Sequence, residues 1–205
     1  MTCQCGITEE VTTMATNPRY LHMTVEEYLE LDRNSPDVRY EYINGRIIMM
    51  VGGTPQHSLI AANVTGILRQ LLRERSCCVF NSDVKIRLPT KDYVYADVSV
   101  SCDQRDFADP EFIYHPGVIV EVLSPSTEAL DRGEKFEKYR ECPSVQEYVM
   151  INTSRQAIEL CRREKNNFWS FQTLTFGATV ELTSLGIRFL VSDAYEKVIF
   201  PGSNS

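Results

Sequence analysis

Glu121 stands in the middle of Gly117-Val118-Ile119-Val120-Glu121-Val122-Leu123, the most apolar run of the chain. Bounded by Pro116 and by Ser124-Pro125-Ser126, this run predicts a strand buried on both faces. A carboxylate there is costly unless it is paired or holds a metal. Asp97 lies in a second apolar run, Val94-Tyr95-Ala96-Asp97-Val98-Ser99-Val100. If the two strands are neighbours, both acids can point at one spot. Two carboxylates suit Mg²⁺ or Mn²⁺, which take oxygen ligands and keep several waters. Such an ion polarises a phosphoryl oxygen and lowers the pKa of a bound water. Hydrolysis also builds up negative charge, which a nearby lysine would stabilise. A lone acid in a strand is otherwise a salt-bridge partner or an edge residue.

The elements that must position these acids are readable from patterning. Thr24-Val25-Glu26-Glu27 has capping-box spacing and predicts a short helix ending near Asn34-Ser35-Pro36. Asn44-Gly45 between Val38–Ile43 and Arg46–Val51 predicts a hairpin. Thr54 and Pro55 open a second helix, with Ile60, Val64, Ile67, Leu68 and Leu71 at helical spacing, to about Arg75. Strands are expected near Cys78–Leu88 and Tyr93–Ser101, then an acidic loop and the Glu121 strand. Asp131-Arg132-Gly133-Glu134 again has capping-box spacing and predicts a third helix to about Glu141. Strands near 146–152, 157–162, 168–174 and 179–182 follow, and a short helix within 191–197. One sheet with flanking helices makes an α/β domain. Residues 1–20 read as a loose tail, and 21–205 as a single domain.

The chain has 205 residues, is 43% hydrophobic and carries a net charge of -7, which excludes a surface coated in basic groups. A local basic patch on an acidic body is still compatible with nucleic acid, with weak, salt-sensitive affinity. Arg46, Lys85, Arg87, Lys91, Arg132, Lys135 and Lys138 fall in segments that could flank the acids. The seven cysteines are odd in number and irregularly spaced. With no export signal read, they are expected to be free thiols in a reducing cytoplasm. Cys3-Gln4-Cys5 has no second pair to complete a metal clip. No apolar run is long enough to span a bilayer.

Several stretches together resemble the PD-(D/E)XK nuclease superfamily, and within it the Uma-two family of restriction-endonuclease-like proteins. They are the Glu41-Tyr42-Ile43-Asn44-Gly45 hairpin with Met50, His57, Tyr95-Ala96-Asp97-Val98, and Glu121-Val122-Leu123-Ser124-Pro125-Ser126-Thr127. Asp131 to Lys135, Tyr139, and Val145-Gln146-Glu147-Tyr148 complete the set, which runs from about Met23 to Phe200. The resemblance implies a restriction-endonuclease-like core, a central mixed sheet flanked by helices. It implies a Mg²⁺- or Mn²⁺-dependent DNA endonuclease acting as a homodimer, with Asp97 and Glu121 as metal ligands. The superfamily proline before the strand Asp is Ala96 here, and the lysine expected two residues after the Glu is Leu123. The resemblance implies that this lysine has moved to the next helix as Lys135, with Glu41 standing in for an absent helix acid.

Each of these residues has an ordinary reading beside the functional one. Lys135 sits in a mixed charge run typical of a solvated helix face. Glu41 could pair across its hairpin with Arg46. His57 lies on the apolar face of its helix, where a histidine is usually a core residue, yet also at a helix N-terminus that would welcome phosphate. Gly-x-Ser-x-Gly is absent, which argues against a serine hydrolase despite Ser124 and Ser126. The rival to the nuclease is a non-catalytic interaction or regulatory module built on the same fold.

Overall fold

The computed structural model describes residues 21–50 and 52–200. Its centre is a six-stranded mixed sheet in the order β12-β11-β10-β9-β7-β4. These strands are β4 (Cys78–Asn81), β7 (Val98–Ser101), β9 (Val118–Leu123), β10 (Glu147–Asn152), β11 (Ala157–Arg163) and β12 (Trp169–Thr175). The Gly117–Leu123 run is the buried strand expected of it: β9 lies between antiparallel β7 and parallel β10, and all six of its residues are buried.

The two-residue period of β9 divides the core. Val118, Val120 and Val122 pack with Ile60, Val64 and Leu68 of helix α2 (Pro55–Leu71). Each of those buried side chains contributes roughly 1.5–3 kcal/mol. Ile119 and Leu123 face the other way, into a cluster with Phe136, Tyr139 and Tyr148. Glu121 shares their parity and so enters that second cluster. Thr54 caps α2 with Pro55 in its first turn, and Thr24 forms the expected capping box on α1 (Val25–Arg33).

A second six-stranded sheet covers this side of the core, in the order β1-β3-β2-β6-β5-β8. It contains β1 (Leu21–His22), β2 (Tyr40–Ile43), β3 (Arg46–Met49), β5 (Lys85–Arg87), β6 (Tyr93–Val94) and β8 (Phe112–Ile113). The Asn44-Gly45 hairpin forms as expected, with φ of 53° and 79° at its two turn residues. A small hairpin, β13 (Thr179–Leu182) with β14 (Ile187–Leu190), closes the α2 face beside α5 (Val191–Ala194).

Some expectations are corrected. The run 78–88 is two strands in different sheets, β4 and β5, and the run 93–101 is likewise β6 and β7. Each chain segment crosses from one sheet to the other at a bend, so Asp97 precedes β7 instead of lying within a strand. Helix α2 ends at Leu71, short of Arg75. The third helix starts earlier than Asp131 and without a side-chain cap. It comprises α3 (Glu128–Leu130), a π-helical turn (Asp131–Lys135) and α4 (Phe136–Glu141). Strand β14 was not expected at all. The cysteines are not all thiols: Cys77 and Cys102, at the adjoining ends of paired β4 and β7, form a disulfide. Cys78, Cys142 and Cys161 are free, and Cys3 and Cys5 lie outside the described residues. Among the described residues no helix is long and apolar enough to cross a membrane.

Candidate active site

The register of β7 against β9 pairs Val98 with Val120, which brings Asp97 beside Glu121 at the end of that ladder. Side chains continue the ladder where the backbone departs. The Val122 N–H donates to Asp97 Oδ2 at 2.7 Å, and the Asp97 N–H donates to Glu121 Oε2 at 3.4 Å. The two acids thus share one spot.

Lys135 reaches it from above. Its Nζ donates to Glu121 Oε1 (2.8 Å), Glu41 Oε1 (2.9 Å) and the Tyr95 carbonyl (2.9 Å), with Asp131 Oδ1 at 3.7 Å. A lysine has three N–H bonds, and all three are engaged. Lys135 is therefore not on a solvated helix face; it is only 4% exposed. The cause is the π-helical turn, whose wider winding re-aims one side chain, a device that recurs at functional sites.

Glu41, on β2, does not pair with Arg46, which instead bonds Glu134. Its carboxylate accepts the Tyr95 N–H at 3.0 Å and Lys135, tying the second sheet to the site. His57 is not a core histidine. Its backbone N–H donates to the Thr54 cap, and its Nε2 lies 3.2 Å from Asp97 Oδ2. The turn before it approaches closely: a Cβ on Gly53 would lie 2.8 Å from His57 Nδ1. Only glycine fits there without displacing the ring.

Two members were read from sequence only as neighbours one helical turn from Lys135 that aim it at the strand ends, not as site residues themselves. Asp131, expected as a helix cap, is buried in the site beside Lys135. The Tyr139 hydroxyl donates to Glu121 Oε1 at 3.3 Å. The four-residue spacing of Asp131, Lys135 and Tyr139 was the available signal.

The site carries more acid than base. Glu41, Glu121 and Asp131 surround one lysine, and Asp97 faces His57. Burial pushes the Glu121 carboxyl well above the usual range, with repulsion from Asp131, Asp97 and Glu41 adding to it. Burial likewise raises Asp131. Burial opposes the charge on Lys135, but Glu121, Glu41 and Asp131 overcome it and hold the ammonium protonated well above its ordinary range. The hydrogen bond to Asp97 raises the His57 pKa against the opposing effect of burial.

Surplus negative charge on hard oxygen donors fits a small divalent cation. Among the described residues no three His, Cys, Asp or Glu side chains converge as a ready-made metal cage.

The basic flank anticipated around these acids is largely neutralised. Arg46 pairs with Glu134, Lys85 with Asp32, Arg132 with Glu128 and Glu159, and Lys138 with Asp92. Lys135 is consumed in the site. Arg87 lies over the rings of Tyr93 and Tyr114.

Comparison with known proteins bears on this arrangement. Residues 25–191 match the family model described as "Uma2: Putative restriction endonuclease". The chain is 36% identical over 179 residues to the Synechocystis protein slr1290, covering 87% of this chain and 94% of the other. It is 29% identical over 150 residues to the Synechocystis protein sll1609, covering 72% and 84%. The fold matches a crystal structure described as a putative nuclease belonging to DUF820 from Anabaena variabilis. That match has a TM-score of 0.71 and 18% identity, covering 86% of this chain and 99% of that one. The restriction-endonuclease-like fold is common to both.

Proposed function

The chain belongs to the Uma2 family, described as putative restriction endonucleases, and from that premise we propose that it is a Mg²⁺- or Mn²⁺-dependent endonuclease that hydrolyses DNA phosphodiester bonds. The observation that carries the reading is the convergence of Asp97, Glu121, Glu41 and Lys135 on one spot. They arrive from two sheets and a π-helical turn. Apolar packing alone does not call for four ionisable side chains there.

Asp97 and Glu121 would hold the cation, which when bound would polarise a phosphoryl oxygen and supply a nucleophilic water near neutral pH. Glu41 and the Tyr95 carbonyl fix the Lys135 ammonium. Held there, Lys135 would stabilise the negative charge that develops on the phosphoryl oxygens. His57, whose pKa the hydrogen bond to Asp97 raises, would offer a second donor at the start of α2, beside Gly52-Gly53, where a phosphate would sit. Few cations near the site lack an acidic partner, so affinity for DNA is weak and falls steeply with salt. Cutting both strands in one encounter takes two sites, which a homodimer supplies.

The test is conversion of supercoiled plasmid to nicked and linear forms at low salt with Mg²⁺ or Mn²⁺. Wild type should cleave, and both Asp97→Asn and chelator should abolish cleavage. Failure of the wild type across both metals favours a non-catalytic module. Cleavage that persists in Asp97→Asn places the activity elsewhere.

A further inference from the structure

Among the described residues, strand β12 forms one edge of the central sheet, with β11 on one side and no strand on the other. Natural edge strands are short, charged, bulged or covered, because unpaired backbone groups invite another chain. β12 uses none of the first three devices. It is seven residues long, Trp-Ser-Phe-Gln-Thr-Leu-Thr, with no charged residue and no proline. Its seven pairs with β11 run without interruption, so there is no bulge.

It is also apolar at its rim. Phe168 and Phe171 are each 65% exposed and Phe176 is 74% exposed. They include three of the most exposed large apolar side chains of the described residues. Phe171 rests on Phe136, so the rim continues inward to the core cluster.

Charge selects the occupant. The protein carries -7, and two copies repel wherever their acidic surfaces face each other. The stretch 168–176 has no charge, so a second copy can approach here without that penalty. The pattern is also self-complementary. With Gln172 on a twofold axis and the strands antiparallel, Phe168 meets Phe176 of the partner subunit, because each lies four residues from Gln172. Phe171 then faces Thr173 of the partner subunit. Pairing β12 with β4 of another copy would be heterologous and would grow into fibres instead of closing.

We propose that β12 is a homodimerisation edge, pairing antiparallel with β12 of a second copy to make one twelve-stranded sheet. This does not depend on the nuclease reading, and its test uses no substrate. Light scattering on the full chain, from micromolar to about 100 µM, should give twice the 23.5 kDa chain mass. Gln172→Lys places two lysines face to face at the axis and should raise the dimer dissociation constant about tenfold or more. Its circular dichroism and melting should match those of a wild-type monomer. Gln172→Cys under mild oxidation should trap a covalent dimer that wild type, with Cys78 exposed, does not form. A wild type that remains monomeric overturns the proposal. A dimer that Gln172→Lys leaves intact overturns it equally, by placing the interface elsewhere.

Discussion

Replacing Lys135 with methionine keeps the volume of the side chain and removes the one ammonium that the described residues place among Glu41, Glu121 and Asp131. All four side chains are about 95% buried, so water cannot take over the lost charge. Breaking a buried pair by removing one partner costs about 3–5 kcal/mol. For a domain of this size, that lowers the melting temperature by roughly 10 °C. The lysine is therefore structural, and a loss of cleavage in this variant alone would not prove a catalytic role. The loss should depend on pH. Without the ammonium, which lowers them, the Glu121 and Asp131 carboxyl pKa values rise still further above their unfolded values. A raised carboxyl favours the folded state below its unfolded pKa, and that advantage disappears as pH rises through the folded pKa. The deficit should therefore be larger at pH 8 than at pH 5. Glu41→Gln added to Lys135→Met should recover part of it, because the double variant has one fewer stranded charge. The assay is urea unfolding followed by circular dichroism at both pH values. Lys197→Met, on an exposed residue, should stay within about 0.5 kcal/mol of wild type. If Lys135→Met is no less stable than Lys197→Met at pH 8, the reasoning about the buried cluster is wrong.

Gly53→Ala should push His57 off Asp97, lowering the His57 pKa toward its ordinary value in an NMR titration; an unchanged pKa would remove the packing argument. Mn²⁺ should raise the melting temperature of wild type by linkage, and the rise should vanish in Glu121→Gln; equal shifts in both would count against the ligand assignment. Cys77 and Cys102 should appear as a linked peptide in a non-reducing digest. Opening that 25-residue loop by Cys102→Ser should cost about 3 kcal/mol, and two free thiols at these positions would refute the pairing.

Much of the site was legible because it rests on local patterns. A charged residue in an apolar run marked Glu121, and the Asn44-Gly45 turn and the Thr54-Pro55 start located the elements carrying Glu41 and His57. What stayed hidden depends on long-range partners. The runs 78–88 and 93–101 each read as strand-like despite polar residues at Asn81-Ser82-Asp83 and at Asp97, and the residue pattern does not show which sheet each half joins, or that the chain changes sheets midway. Yet that change is what places Asp97 at a bend, with its side chain completing the ladder of β9. Capping-box spacing at Asp131 looked like a helix start, but tertiary burial won: the aspartate turns inward and the chain winds as a π-turn. The reading of all cysteines as thiols rested on their count, and count cannot register that Cys77 and Cys102 end adjacent strands.

The central claim is that the buried surplus of carboxylates is a divalent-metal site. Electron paramagnetic resonance of Mn²⁺ titrated into the protein at neutral pH tests it most directly, since bound and free ion are read in the same spectrum. The account predicts saturable binding of Mn²⁺, competed by Mg²⁺ and weakened at least about tenfold in Asp97→Asn, where one charged ligand is lost. No binding at millimolar Mn²⁺, or the same affinity in Asp97→Asn, would contradict it.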